Sequence, residues 1–287
     1  MLGKLMKHEW KGTYKVGCLM LILILGVTFF GWLAFQTPMW QALSNDSYYS
    51  SVGTLDILSM ITLMLYVFML IGTTYGMIIY LGVHFYKTMY TDEGYLTHTL
   101  PVTKHKLLIS KILVSGIWYL IVSAAVVASV IGLMAALLGA VVPDDAWTEV
   151  WKEISENWDE LLHLMKTELG IDLVRWLVVM IISILIGPFC TVIILFGAIS
   201  IGQLFTKHRV LMAIVSYVGI TVLSMIISSV VQSVTSMNAI TEMMSDTVAL
   251  DSYMNATTLS GMIQSVLLAV ILYIVSYLVI NKKLNME

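Results

Sequence analysis

Charged residues are scarce in this sequence. Of its 287 residues, 11% are charged and 59% are hydrophobic, and the mean hydropathy is +0.91. A soluble domain has roughly 25% charged and about 45–50% apolar residues, so a water-soluble core could not bury this much apolar side chain. The composition therefore excludes a soluble globular protein and indicates an integral membrane protein.

Cysteines are few, and the common catalytic and nucleotide-binding motifs are missing. Cys18 and Cys190 lie in separate apolar runs, and we expect both to be plain buried thiols. The sequence has no GxxxxGK[ST] phosphate loop and no HExxH, GxSxG or CxxC motif. No histidine pair has the spacing of metal ligands on a helix. We therefore expect no catalytic, cofactor-binding or metal-binding residue in this chain.

Six long apolar runs predict six transmembrane helices, because about 20 apolar residues cross the hydrocarbon core of a bilayer. None of the runs alternates with the period of two that a membrane β-barrel requires. The predicted spans are residues 16–35, 57–83, 112–142, 173–204, 210–234 and 262–280. Within them, the small-residue pairs Gly72-xxx-Gly76 and Gly132-xxx-Ala136 predict close helix packing.

The basic residues indicate the topology. All but three of the 15 lysines and arginines lie in the amino-terminal segment, between the second and third spans, between the fourth and fifth, or in the tail. The exceptions are Lys152, Lys166 and Arg175. The positive-inside rule places both termini in the cytoplasm of a multi-pass plasma-membrane protein. Since a mid-bilayer lysine costs about 2.5–3.5 kcal/mol on insertion scales, we expect Lys111 and Arg175 to mark helix ends.

Two further segments are amphipathic. In residues 1–15, Leu5, Trp10 and Tyr14 fall near one helical face among lysines, which predicts a helix lying in the membrane interface. Residues 143–172 are strongly acidic and carry tryptophans at helical spacing. This second segment predicts one extracellular helix whose acidic face points to water.

The polar segment 84–110 joins the second and third spans. Residues 90–111 read YTDEGYLTHTLPVTKHKLLISK. Leu100 precedes Pro101, which favours an extended backbone at Leu100, and Thr103 can cap the helix that follows. The segment predicts a short helix and a turn that hold apolar side chains at the membrane surface. This is the form of a docking element for another protein.

The pattern DEGYL followed by LP at residues 92–101 resembles the inner loop of type-2 permeases of ATP-binding-cassette (ABC) transporters. The turn GQLFTKHR at 202–209 is similar to the family's link between the fourth and fifth helices. The long acidic segment 143–172 departs from the family pattern. The resemblance assigns contact with an ATPase to Asp92, Glu93, Gly94, Tyr95, Leu96, Leu100 and Pro101.

The resemblance also implies an activity and partners. The whole chain, 1–287, would be one permease domain that pairs with a second copy or a sister permease in the lipid bilayer. Two separate ATPase subunits would bind ATP and Mg and act through residues 90–106, so the chain itself is not an enzyme. Export of a peptide, lipid-like or hydrophobic compound is the implied function, and nothing points to nucleic acid. The alternatives are a secondary transporter or channel, or a non-transporting scaffold or immunity protein.

Overall fold

The computed structural model describes residues 2–37, 40, 53–91, 93–94, 101–141, 144–167, 173–205, 207–243 and 249–282. Within these ranges the regular structure is helical and no strand occurs, which confirms the all-α prediction. The helices are α1 (Leu2–Ala34), α2 (Thr54–Tyr90), α3 (Lys104–Val141), α4 (Asp144–Glu156), α5 (Trp158–Thr167), α6 (Leu173–Gly202), α7 (Arg209–Met243) and α8 (Ala249–Lys282).

Six of these helices are long and apolar enough to cross a membrane, so the chain is a multi-pass membrane protein. The membrane-compatible stretches are Leu2–Ala34, Thr54–Tyr90, Lys104–Gly139, Leu173–Gly202, Arg209–Met237 and Thr257–Asn281. Most extend beyond the predicted spans, because a helix satisfies its own backbone hydrogen bonds and continues into polar flanks. The fourth span instead ends slightly earlier, at Gly202.

Helix α1 joins two segments that the sequence presents as separate. The predicted interfacial segment and the first predicted span form one uninterrupted helix. Leu5 and Trp10 are partly buried by the protein, whereas Tyr14 is 40% exposed. Cys18, on the same helix, is also exposed, so the prediction of a buried thiol is correct for Cys190 and wrong for Cys18.

The acidic segment forms two helices where one was predicted. Helix α4 ends at Glu156 and α5 begins at Trp158, with Asn157 in a bend between them. Residues 143 and 168–172 lie outside the described residues. Trp151 is 70% exposed and Trp158 is 48% exposed, so the described part of the chain leaves much of both side chains uncovered. The extracellular location of this segment stays a prediction.

The chain divides into two compact units. Unit 1 contains Met1–Trp10, Tyr80–Leu120 and Asp159–Glu287, and unit 2 contains Lys11–Ile79 and Ile121–Trp158.

In unit 1, helices α6, α7 and α8 pack against one another. A Cβ added at Gly202 would lie 2.5 Å from the backbone nitrogen of Ala213, and one added at Gly197 would lie 2.6 Å from the Cβ of Leu272. These glycines therefore let α6 approach both α7 and α8 closely.

A hydroxyl cluster holds the helices of unit 2 together. The Ser129 hydroxyl on α3 lies 2.6 Å from the Thr28 hydroxyl on α1 and 2.7 Å from the Tyr66 hydroxyl on α2. Ser129 is 6% exposed and Tyr66 is also 6% exposed. These hydrogen bonds join the three helices. Because they are directional, they set how the helices are shifted and rotated against one another, which apolar contacts alone would not do.

Candidate functional site

Three helices of unit 1 meet at a buried ionic cluster. The Lys111 ammonium on α3 donates to the Glu9 carboxylate on α1 at 2.5 Å and to the Thr88 hydroxyl on α2 at 2.8 Å. The second oxygen of Glu9 lies 3.3 Å from Nε2 of His84, also on α2. We call Glu9, His84, Thr88 and Lys111 the Glu9 cluster.

The burial of the Glu9 cluster explains why its members are paired. The side chains of Lys111, Glu9 and His84 are 2%, 14% and 20% exposed. An ammonium removed from water is costly unless opposite charge and hydrogen bonds surround it. Thr88 donates its own proton to the backbone oxygen of His84 at 2.8 Å, which leaves its lone pairs available to Lys111.

An aromatic pair reinforces the same junction. Trp10, the residue after Glu9, stacks on Trp118 of α3 with ring centroids 4.7 Å apart and an interplanar angle of 30°. Trp118 is 4% exposed. The start of α1 is therefore fixed to α3 by apolar area as well as by charge, and this is the structural role of the predicted interfacial residue Trp10.

The Glu9 cluster corrects one expectation from the sequence. Lys111 does not mark a helix end, because α3 begins at Lys104 and Lys111 lies about two turns inside it. The partners of Lys111 are distant in sequence, so no spacing reveals them. The available signal was that Glu9 is the one acidic residue among the lysines of segment 1–15.

The connection between α2 and α3 is held firmly at both flanks. At the end of α2, the Tyr90 hydroxyl lies 2.8 Å from the Ser200 hydroxyl of α6, and Phe85 stacks on Phe196 with centroids 3.8 Å apart. At the start of α3, the Lys104 ammonium donates to the backbone oxygen of Ile280 on α8 at 3.0 Å. Both ends of the connection are thus joined to the helices α6 and α8.

Within the connection, the structure places some of the predicted coupling residues. Glu93 and Gly94 are helical, and the Gly94 nitrogen donates to the Thr91 oxygen at 2.7 Å. A Cβ at Gly94 would lie 2.6 Å from the backbone carbonyl of Met89, so no other residue fits this turn unchanged. Pro101 lies in an exposed bend just before α3. Asp92, Tyr95, Leu96 and Leu100 lie outside the described residues.

The helix start predicted at Thr103 is confirmed. Thr103 immediately precedes α3, and its backbone oxygen accepts a hydrogen bond from the Leu107 nitrogen at 3.2 Å.

Exposed lysines surround this part of unit 1. Lys4, Lys7, Lys87, Lys106 and Lys207 are all exposed. They belong to α1, α2, α3 and the turn before α7, whose neighbouring helix ends are brought together by the contacts above. The contacts thus bring together segments that the distribution of lysines and arginines places on the same side of the membrane. That this side faces the cytoplasm stays a prediction.

The charged groups of the Glu9 cluster are paired with one another, and the flanks of the connection are joined to α6 and α8. Comparisons with protein-family models, curated proteins and solved structures find no match to this chain. Its function is therefore inferred from its own residues and from the resemblance of the connection to a permease loop.

Proposed function

We propose that this chain is the transmembrane permease subunit of an ATP-driven ABC transporter that exports its substrate. One observation carries the proposal. The segment with the permease-like sequence joins two helix ends that part-buried hydrogen bonds and one buried ring stack fasten to α6 and α8. A connection mounted in this way would transmit a displacement to the bundle instead of absorbing it.

The mechanism requires energy from partner subunits. Two ATPase subunits would bind ATP and Mg, and residues 92–96 would sit in a groove of each ATPase. Closure of the ATPases would push on the connection and shift the bundle between inward- and outward-facing states. Moving such an equilibrium from 1:99 to 99:1 takes about 5.5 kcal/mol of differential binding, which a loosely attached loop could not deliver.

The amino-terminal part of α1 would provide a second contact. The Glu9 cluster and the Trp10–Trp118 stack fix this part of α1 beside the connection. Lys4 and Lys7 remain exposed there, where they would meet anionic headgroups or an acidic partner surface. The permease would pair with a second copy or a sister permease, with both termini in the cytoplasm.

The deciding experiment is co-purification with the ATPase. We expect Glu93→Arg together with Leu96→Asp to reduce the ATPase recovered with the chain at least tenfold, because one change reverses a charge in the docking surface and the other replaces an apolar side chain with a carboxylate. The matched control is Glu149→Arg with Leu164→Asp, since both residues are exposed on the acidic helices. The control should retain the complex. Full recovery and full ATP-coupled activity in the first variant would contradict the proposal.

A second candidate is an ion-coupled secondary transporter, and the Glu9 cluster is the observation that favours it. Buried ionisable groups in membrane helices often mark proton or ion routes. The position of the cluster beside the connection, with its charges mutually paired, fits a structural junction better. Reconstitution of the chain alone separates the two candidates. Solute movement driven by a proton gradient without nucleotide would favour the second candidate and overturn the first.

A further inference from the structure

A half-open cavity lined with hydroxyl groups lies among α6, α7 and α8 of unit 1, and its rim is exposed at Gln232 of α7. Its volume is about 440 Å³, within the usual range for small-molecule sites of roughly 300–1,000 Å³. The described residues that line it include no charged side chain, and isoleucine, leucine and methionine fill the space between the polar groups. The polar lining consists of Thr191, Tyr217, Thr221, Ser224, Ser228 and Gln232, with one further serine beside them.

The polar lining of α7 forms a row along one helical face. Tyr217, Thr221, Ser224, Ser228 and Gln232 follow one another at intervals of three or four residues. At 1.5 Å per residue, the row extends for roughly 22 Å along α7. An extended peptide covers about 3.3–3.6 Å per residue, so roughly six residues of peptide match this length.

Gln264 of α8 braces this face of α7. Its side-chain nitrogen donates to the backbone oxygen of Ser224 at 2.9 Å, and its side-chain oxygen accepts from the Ser228 hydroxyl at 3.0 Å. One amide group thus spans a full turn of α7. The brace keeps the polar row in a fixed orientation toward the cavity.

The hydrogen bonds within the protein decide which ligand the cavity suits. The Thr221 hydroxyl donates to the Tyr217 backbone oxygen at 2.8 Å, and the Thr191 hydroxyl donates to the Gly187 backbone oxygen at 3.0 Å. A hydroxyl has one proton to donate and two lone pairs to accept with. These hydroxyl groups therefore present acceptor oxygens to the cavity. A ligand without donors would leave those acceptors unpaired in apolar surroundings, which is unfavourable.

We propose that this cavity binds an uncharged, extended peptide whose backbone N–H groups donate to the hydroxyl oxygens of Thr191, Thr221 and Ser228, each of which already donates its own proton within the protein. Apolar side chains of the peptide would contact the aliphatic lining. Only the statement that this peptide is the transported substrate rests on the proposed function. The binding itself needs neither nucleotide nor the ATPase.

The test uses the purified full-length chain in lipid nanodiscs without any ATPase. The probe is an acetylated and amidated six-residue peptide of alternating alanine and leucine that carries a photoreactive diazirine. Its matched control is the same peptide with every backbone nitrogen methylated, which removes the N–H donors. We expect the first peptide to label α6, α7 or α8 and the methylated peptide to label them at least tenfold less. Equal labelling, or labelling confined to other helices, would overturn the inference.

Variants of one lining residue sharpen the result. Thr221→Val removes the acceptor oxygen at nearly constant volume, and we expect it to weaken binding about fivefold. Thr221→Ser keeps the oxygen and should bind as the unchanged chain does. Thr62→Val is the control on α2, where an exposed threonine donates to the Leu58 backbone oxygen at 2.8 Å. Unchanged binding by Thr221→Val would contradict the proposal.

Two further outcomes have a clear meaning. If a photoreactive fatty acid labels the cavity and the peptide cannot compete with it, the cavity is a lipid-filled groove and the inference is wrong. If the peptide does not bind but the ATPase still co-purifies in the manner described above, the inference fails and the proposed permease function stands.

Discussion

The environment of Lys111 shows how a charged side chain can be accommodated inside a membrane protein. The ammonium is almost fully buried, and Glu9 and Thr88 from two other helices surround it. In a medium of low dielectric constant, the attraction of the ion pair is strong, yet it only offsets the cost of removing both ions from water. The pair therefore specifies how the three helices fit together more than it adds to overall stability.

Substitution of one partner should be far more harmful than substitution of both. Lys111→Met or Glu9→Gln alone leaves a buried charge without its main partner, and we expect each to lower the free energy of unfolding by about 3–5 kcal/mol. The double variant Glu9→Gln/Lys111→Met should recover most of that loss. Titration with a denaturing detergent, followed by tryptophan fluorescence, measures the effect. A double variant as unstable as the sum of the two single variants would show that this explanation is wrong.

The closest helix contacts in the structure do not occur at the small-residue motifs that predicted them. The motifs Gly72-xxx-Gly76 and Gly132-xxx-Ala136 predicted tight helix contacts, but none of the described residues comes within 4 Å of a Cβ placed at Gly72 or Gly132. Gly76 has only the methyl end of Met20 nearby, at 3.5 Å. The close approaches involve other glycines, such as Gly202. A small-xxx-small pattern identifies a face where helices can approach, and the rest of the fold decides whether a neighbour is there.

At the approach of α6 to α7, we expect Gly202→Ala to be destabilising. The added methyl group would lie 2.5 Å from the backbone nitrogen and Cα of Ala213, which cannot move without displacing α7. Overpacking of this kind typically costs about 1–3 kcal/mol. Gly219→Ala, on the partner helix α7 with no other atom within 4 Å of the new Cβ, is the control and should be neutral or slightly stabilising. Thermal unfolding in detergent measures both, and equal midpoints would refute the expected difference.

For the molecule as a whole, the sequence predicts the number and type of spanning helices well, because long apolar runs determine them locally. It does not predict the continuity of α1, since apolar periodicity stops at Tyr14 although helical hydrogen bonding does not. The bend at Asn157 was not predicted, because the helical spacing of the tryptophans continues through it. The Glu9 cluster could not be predicted either. Its partners are separated by 75 and 102 residues, and only the assembled fold brings them together.

The topology of the whole chain is open to a direct test. In a Cys18→Ser background, we expect Lys152→Cys to react with a membrane-impermeant maleimide in intact cells, because the positive-inside rule places α4 outside. Lys4→Cys should react only after the cells are opened, although both lysines are exposed in the fold. Labelling is measured by the mass shift of the purified chain. The reverse pattern would overturn the assignment of the termini to the cytoplasm.

Because Lys104 donates a hydrogen bond to Ile280, the attachment of the start of α3 depends on the carboxyl-terminal part of α8. A chain cut short before Ile280 would lose the carbonyl that anchors the beginning of α3, although the truncation leaves the permease-like segment intact. Under the proposed permease function, we expect such a truncation to loosen the coupling between ATP hydrolysis and transport.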